Sequence, residues 1–109
     1  MRIGVDIEEI GRFKKILASP VKLSRIFSDT EIEYCQNKKN PAAHFAARFA
    51  AKEAVWKALA GTKFLITDIT IQNTMSGKPE VYIKGKKYAK IDVSISHSKN
   101  YVVAAAIHI

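Results

Sequence analysis

Between Asn40 and Leu59 nothing in the sequence interrupts a helix. Asn40 is an N-cap residue, Pro41 suits the first helical position, and the run that follows is rich in alanine and charged residues. Gly61 supplies a stop. The reading therefore predicts one helix from Pro41 to Leu59, the longest element of the chain, with the other elements arranged around it.

Upstream, Arg2 to Ile7 alternates, with Ile3, Val5 and Ile7 on one face and Gly4 and Asp6 on the other, which predicts a strand. From Glu8 the apolar spacing turns helical through Ile10, Phe13, Ile16 and Leu17, and Ser19-Pro20 is read as its end. Ser28 followed by Glu31 forms a capping box and predicts a helix from Asp29 to Gln36. Downstream the pattern changes to strands at Ile66–Gln72, Glu80–Lys84, Ile91–Ile95 and Tyr101–Ile109, with a turn at Ser76-Gly77. One strand, then helices, then antiparallel strands predict an α+β fold, read as a single domain over residues 1–109.

A single cysteine, Cys35, cannot form an internal disulfide, and its polar helical setting fits an incidental thiol better than a nucleophile. No apolar run reaches the ~20 residues of a membrane span, and Asp6 interrupts the only apolar stretch near the start, so a cytoplasmic protein without membrane contact is expected. The net charge of +8 is concentrated. Arg12, Lys14, Lys15, Lys22 and Arg25 form one acid-free cluster, and Lys84, Lys86, Lys87 and Lys90 another. Both attract polyanions, whether nucleic acid, anionic lipid or an acidic protein.

Chemistry concentrates on the long helix. With Glu53 placed at zero on a helical wheel, Ala42, Ala46, Phe49, Ala50, Trp56 and Ala60 fall within about 60° of it, so a carboxylate lies in the middle of an apolar stripe. Burying it unpaired is costly, and a positive partner is expected. Lys57, one turn on, is the nearest candidate, and an ordinary ion pair is the bland reading. Asp6, at the end of the first strand, either caps the following helix or joins Glu53. Two carboxylates from separate elements suit magnesium, which takes few protein ligands and completes its shell with water and phosphate oxygens. Arg48 and Lys52 beside the stripe, the Gly77-Lys78-Pro79 turn, and Ser96 and His97 at a strand end fit a phosphate-bearing ligand, although His97 alone reads more readily as a structural histidine.

Taken together, Ile3-Gly-Val-Asp-Ile7, Arg48-Phe-Ala-Ala-Lys-Glu-Ala54 with Trp56-Lys57-Ala58, Gly77-Lys-Pro79 and Ser94-Ile-Ser-His-Ser98 resemble the holo-acyl-carrier-protein synthases, small bacterial 4′-phosphopantetheinyl transferases. The resemblance spans nearly the whole chain. It implies the fold of that family and transfer of 4′-phosphopantetheine from coenzyme A to a serine of an acidic acyl carrier protein, with loss of 3′,5′-ADP, in support of fatty acid biosynthesis. It also implies Asp6 and Glu53 as magnesium ligands and Lys57 at the phosphates. Arg48, the Gly77–Pro79 turn, Ser96 and His97 would hold the adenosine end of coenzyme A. Arg12 and its basic neighbours Lys15, Lys22 and Arg25 would dock the carrier, and the family's homotrimer would follow, with sites between subunits. A second face of the long helix, carrying Ala43, Ala47, Ala51, Val55 and Leu59, agrees with such an assembly. Two rivals remain at this point. One is a small basic nucleic-acid-binding domain, weakened by the lack of paired stacking aromatics on the late strands. The other is a structural subunit in which Glu53–Lys57 is only an ion pair.

Overall fold

The chain opens with strand β1 (Arg2–Glu9), followed by helices α1 (Ile10–Ile16), α2 (Pro20–Ile26), α3 (Asp29–Gln36) and α4 (Pro41–Ala58). A 3-10 turn at Ile66–Asp68 leads into strands β2 (Ile69–Asn73), β3 (Pro79–Ile83), β4 (Lys86–Lys87), β5 (Ile91–His97) and β6 (Tyr101–His108). The computed structural model describes residues 1–60 and 63–109.

Local signals explain most of these borders. The Asn40 side chain accepts from the Ala43 N–H and Pro41 takes the first turn of α4. The Ser28/Glu31 capping box at α3 is complete in both directions. Gly61, expected to stop α4, lies outside the described residues, and the left-handed residue that ends the helix is Ala60, at φ 64°. The Ser19-Pro20 pair, read as a breaker, is also a starter: Ser19 accepts from the Lys22 N–H and Pro20 opens α2, a helix the periodicity did not reveal. It is the same chemistry as Asn40-Pro41 on a shorter helix. The predicted strand from Ile66 begins only at Ile69, because Asp68 turns back to accept from the Leu65 N–H at 2.9 Å.

The strands form two three-stranded antiparallel sheets, ordered β1-β6-β5 and β2-β3-β4. Helix α4 lies against β1, β6 and β5 of the first sheet and also meets α1, α3 and β2. The core therefore gathers on α4, with Ala46, Ala50, Ala54 and Ala58 against Ala104 and Ala106, and with Phe13, Phe27 and Phe45 on its helical side. Alanine on both partners lets the helix lie close to the sheet. Gly4 carries this furthest: a Cβ built there would stand 1.9 Å from the Ala54 carbonyl oxygen.

This close approach settles which face of β1 is inside. Gly4 is buried and Asp6 half-buried, while Ile3 is 66% exposed and Ile7 64%. Across the ladder Ile3 faces Ile107, Val5 faces Ala105 and Ile7 faces Val103, so the outer side of the sheet is an apolar surface. On the second apolar side of α4, Ala51 and Val55 are fully buried within the chain, while Ala43, Ala47 and Leu59 are half-buried. The outer face of the β1-β6-β5 sheet carries an exposed apolar row of Ile3, Val5, Ile7, Val103 and Ile107.

A buried ion pair ties the helices together. Lys52 Nζ donates to Glu31 Oε1 at 2.6 Å and to the Ile26 carbonyl at 2.7 Å, and both side chains are wholly inaccessible. Glu31 also accepts from the Ile71 N–H of β2 and the Ser28 N–H. Lys52→Met strands the Glu31 carboxylate, so it should lower unfolding free energy by about 3–5 kcal/mol in urea titrations, and adding Glu31→Gln should restore part of it. A loss under about 1 kcal/mol would mean that water relieves the pair.

Candidate functional site

The inner side of β1 and one edge of α4 meet at a polar corner. Alternation along β1 places Gly4, Asp6 and Glu8 on the side facing α4. Glycine at the first of these positions brings the strand close enough for Asp6 to reach the helix edge carrying Glu53 and Lys57. Asp6 Oδ2 is buried and has no hydrogen-bond partner among the described residues, while Oδ1 lies 3.6 Å from Lys57 Nζ. Lys57 also donates to the Val5 carbonyl at 3.0 Å. The expected i,i+4 pairing of Lys57 with Glu53 is thus replaced by a pairing across elements, because the strand edge offers two acceptors together.

Glu53 is half-buried, and its carboxyl is pushed up by burial and by the Asp6 charge, with Lys57 and Arg12 opposing. Glu8 completes the cluster. Burial raises its carboxyl to about 7, Asp6 adds to the rise, Arg12 pulls it back and Glu53 adds a smaller push. Its Oε1 accepts from Arg12 Nη1 at 2.9 Å. Among the described residues no three ligating side chains form a metal cage. Sequence reasoning missed Glu8 because it ended the strand at Ile7; carrying the i,i+2 alternation one step further would have found it.

The raised Glu8 carboxyl has a consequence for stability. In the folded chain Glu8 keeps a proton between pH 4.5 and about 7 that the unfolded chain releases, so stability falls as pH rises through that window. Glu8→Gln removes this loss. In the absence of divalent cations the variant should melt with its parent near pH ~4 and a few degrees above it near pH ~8. Parallel melting curves across that range would show Glu8 to be freely solvated.

At the other end of α4 a second polar region forms around Arg48, which is 4% exposed. Its guanidinium lies over the Tyr34 ring, 4.1 Å from the centroid, and Lys38 Nζ approaches the same ring at 4.3 Å. Arg48 Nη2 donates to Asn73 Oδ1 at 3.0 Å, and Asn73 Nδ2 in turn donates to the Gly77 carbonyl at 3.3 Å. Arg48 and the Gly77-Lys78-Pro79 turn are therefore joined through Asn73. Arg48 Nε is buried without a partner among the described residues, beside a cavity of about 200 Å³ lined by Thr30, Tyr34, Gln72 and Asn73. His44 stands edge-on to Tyr34, and its pKa is lowered by burial, then by the charges of Arg48, Lys38 and His97. Tyr34, Lys38, His44 and Asn73 carried no motif by which sequence could single them out.

Three expected ligand residues are placed differently. Lys52 does not reach either polar region: its ammonium is consumed by Glu31 and Ile26 in the core, because the wheel position beside Glu53 points toward α3. Ser96 pairs with Val103 and shares the outer sheet face, whereas His97 follows it on the opposite side toward His44. Lys78 extends from its turn to an exposed pairing with Asp92 at 3.9 Å. The basic cluster, by contrast, is gathered: Arg12, Lys15, Lys22 and Arg25 line one groove of about 440 Å³ between α1 and α2, with Ile16 and Ile26 as its apolar part.

Comparison with known proteins shows the family of the chain. Residues 2–106 match the model of the 4'-phosphopantetheinyl transferase superfamily. A holo-[acyl-carrier-protein] synthase of Thermodesulfovibrio yellowstonii is 45% identical, over 96% of this chain and 95% of that protein. Among solved structures, a holo-(acyl-carrier-protein) synthase of Bacillus anthracis in complex with CoA (3',5'-ADP) superposes with a TM-score of 0.80 at 34% identity, covering 96% of this chain and 92% of that one. The Neisseria meningitidis holo-[acyl-carrier-protein] synthase superposes with a TM-score of 0.84 at 26% identity, over 99% and 97%. The nucleic-acid-binding alternative finds no support in these relatives, and no helix among the described residues is long and apolar enough to cross a membrane. With a catalytic family matched along nearly its whole length, the chain is an enzyme of the 4'-phosphopantetheinyl transferase superfamily and belongs with the holo-[acyl-carrier-protein] synthases.

Proposed function

We propose that this chain moves the 4′-phosphopantetheine of coenzyme A onto a serine of apo acyl carrier protein, releasing 3′,5′-ADP, with magnesium held by Asp6 and Glu53. The observation that carries the reading is the buried, unpartnered Oδ2 of Asp6 beside Glu53 and Lys57. An orphaned carboxylate oxygen and a second carboxylate pushed up by burial and by the first are the marks of a site suited to a cation, and oxygen-only donors fit a hard divalent ion. Bound magnesium would neutralise diphosphate oxygens and stabilise charge on the leaving group.

The protein's own part is positioning and charge. The serine oxygen forms a bond to the phosphorus that carries pantetheine, and the bond from that phosphorus to the 3′,5′-ADP oxygen breaks. Lys57, held by the Val5 carbonyl and half-exposed, keeps its ammonium at the rim for the phosphates. Glu53, at the edge of the same corner, would accept the serine proton. The cationic end of α4, with Arg48, His97 and the Gly77-Lys78-Pro79 turn, suits the 3′-phosphate-adenosine. Ser96, on the outer sheet face, would serve that pocket from a neighbouring copy.

The exposed row of Ile3, Val5, Ile7, Val103 and Ile107 supports a homotrimer, since such a patch is larger than isolated surface apolar residues would make. The Arg12–Arg25 groove suits an acidic carrier helix in a cytoplasmic pathway of fatty acid synthesis. Mass spectrometry of an apo carrier incubated with the protein, coenzyme A and magnesium tests the reading: one phosphopantetheine should be added, and only with the cation. An unchanged mass sinks it. Arg12→Glu should raise KM for the carrier on the order of tenfold at low salt, with the effect shrinking as salt rises; equal KM at all salt concentrations would assign the groove to another partner.

A further inference from the structure

Glu8 lies where the polar corner meets the basic groove, and the transfer chemistry gives it no part. It follows Asp6 by two places on the side of β1 that faces α4. Its Oε1 accepts from Arg12 Nη1 at 2.9 Å, across the junction from strand to α1. The two ends of this pair are unlike: the Glu8 side chain is 10% exposed and that of Arg12 58%. The Arg12 guanidinium also stands 5.8 Å from the Phe13 ring centroid and 5.7 Å from that of Phe49. These two rings meet with their centroids 5.5 Å apart. A sheltered acceptor and a shelf of two rings therefore fix a side chain whose other edge is open. Nε and Nη2 of Arg12 have no hydrogen-bond acceptor among the described residues.

An exposed i,i+4 ion pair ordinarily counts for little. Here anchors from β1, α1 and α4 converge on one guanidinium, and Arg12 is the one cation of the groove bonded to a residue of the corner among the described residues. Resting on the proposed docking of the carrier in that groove, we propose that Glu8 is a positioning residue. It holds Arg12 in one orientation, so that the free edge of the guanidinium meets an acid of the carrier at a fixed distance from Asp6 and Glu53. A loose arginine would pair with the same acid from many poses, few of which bring the carrier serine in line with the diphosphate. Fixing the side chain beforehand also removes an ordering cost from docking. Charge alone predicts the opposite sign: Glu8 is an anion beside a surface for an acidic partner, and deleting it would then strengthen docking.

Glu8→Met and Glu8→Gln delete the same charge, but only glutamine keeps an oxygen that accepts from Arg12. In transfer assays at low salt, at a temperature where melting curves show both variants folded, KM for apo acyl carrier protein should be about threefold to fivefold higher for Glu8→Met than for Glu8→Gln. KM for coenzyme A should not separate the two variants. In an Arg12→Ala background the carrier KM should not separate them either, since the residue through which Glu8 acts is gone. Equal carrier KM for the two variants, or a gap that survives in Arg12→Ala, would assign Glu8 a charge or packing role and overturn the proposal. A gap of the same size in KM for coenzyme A would place Glu8 at the cation and overturn it too. Parental carrier KM in Arg12→Ala itself would show that the carrier docks elsewhere, and the positioning role falls with the groove. Absence of transfer by the parent protein, a separate result, overturns the transfer reading and this role with it.

Discussion

Gly4→Ala should leave little folded protein. The added methyl would meet the Ala54 carbonyl oxygen at 1.9 Å and the Ala58 backbone nitrogen at 2.8 Å. Both are main-chain atoms of a helix that is itself packed on three sides, so neither can swing away as a flexible side chain would. Relief requires β1 to lift from α4, which uncovers Ala54 and Ala58 and separates Asp6 from Lys57. Overpacking of this kind costs about 3 kcal/mol or more, a large part of the ~5–15 kcal/mol that holds a domain together. Soluble expression and thermal melting measure it. A variant with parental melting temperature would show that the strand can slide off the helix without penalty, and that something other than this close contact holds the corner together.

Glu53→Gln should do the reverse, removing activity while sparing the fold. The replacement keeps size and shape, and it deletes a charge that burial and Asp6 already disfavour, so the melting temperature should hold or rise slightly. Transfer should fall by about a thousandfold or more, because a lost ligand and a lost proton acceptor together forfeit several kcal/mol of transition-state stabilisation. Asp6→Asn should behave alike, and calorimetry should record weakened magnesium binding in both. Retained transfer in Glu53→Gln would remove the cation site from the mechanism, whereas an unfolded variant would show that the carboxylate is structural.

These two substitutions show how unevenly the site could be read. Asp6, Glu53 and Lys57 stood out because a carboxylate within an apolar helical stripe demands an explanation, and the three do meet in space. Their pairing was not legible. Lys57 turned to Asp6 and the Val5 carbonyl, not to Glu53, since a lysine follows whichever acceptors the neighbouring strand presents. Lys52 looked equally available on the wheel, yet Glu31, which looked like a capping residue and nothing more, reaches from α3 to take it into the core. The same glutamate accepts from Ile71, forty positions away in the chain, a contact that no local pattern encodes.

Local chemistry along the sequence determined the long helix from Asn40-Pro41, the capped helix at Ser28, the alternating first strand and the succession of late strands, because each depends on residues within a turn or a few positions of one another. Tertiary structure alone decided that β1 turns its isoleucines outward, that the late strands divide between two sheets, and which acid each lysine meets. The physical reason is the reach of the interactions: capping and periodicity act over a few ångströms of contiguous chain. Charge pairing and burial depend instead on how closely a helix can approach a strand, and here that distance is set by the missing side chain of Gly4.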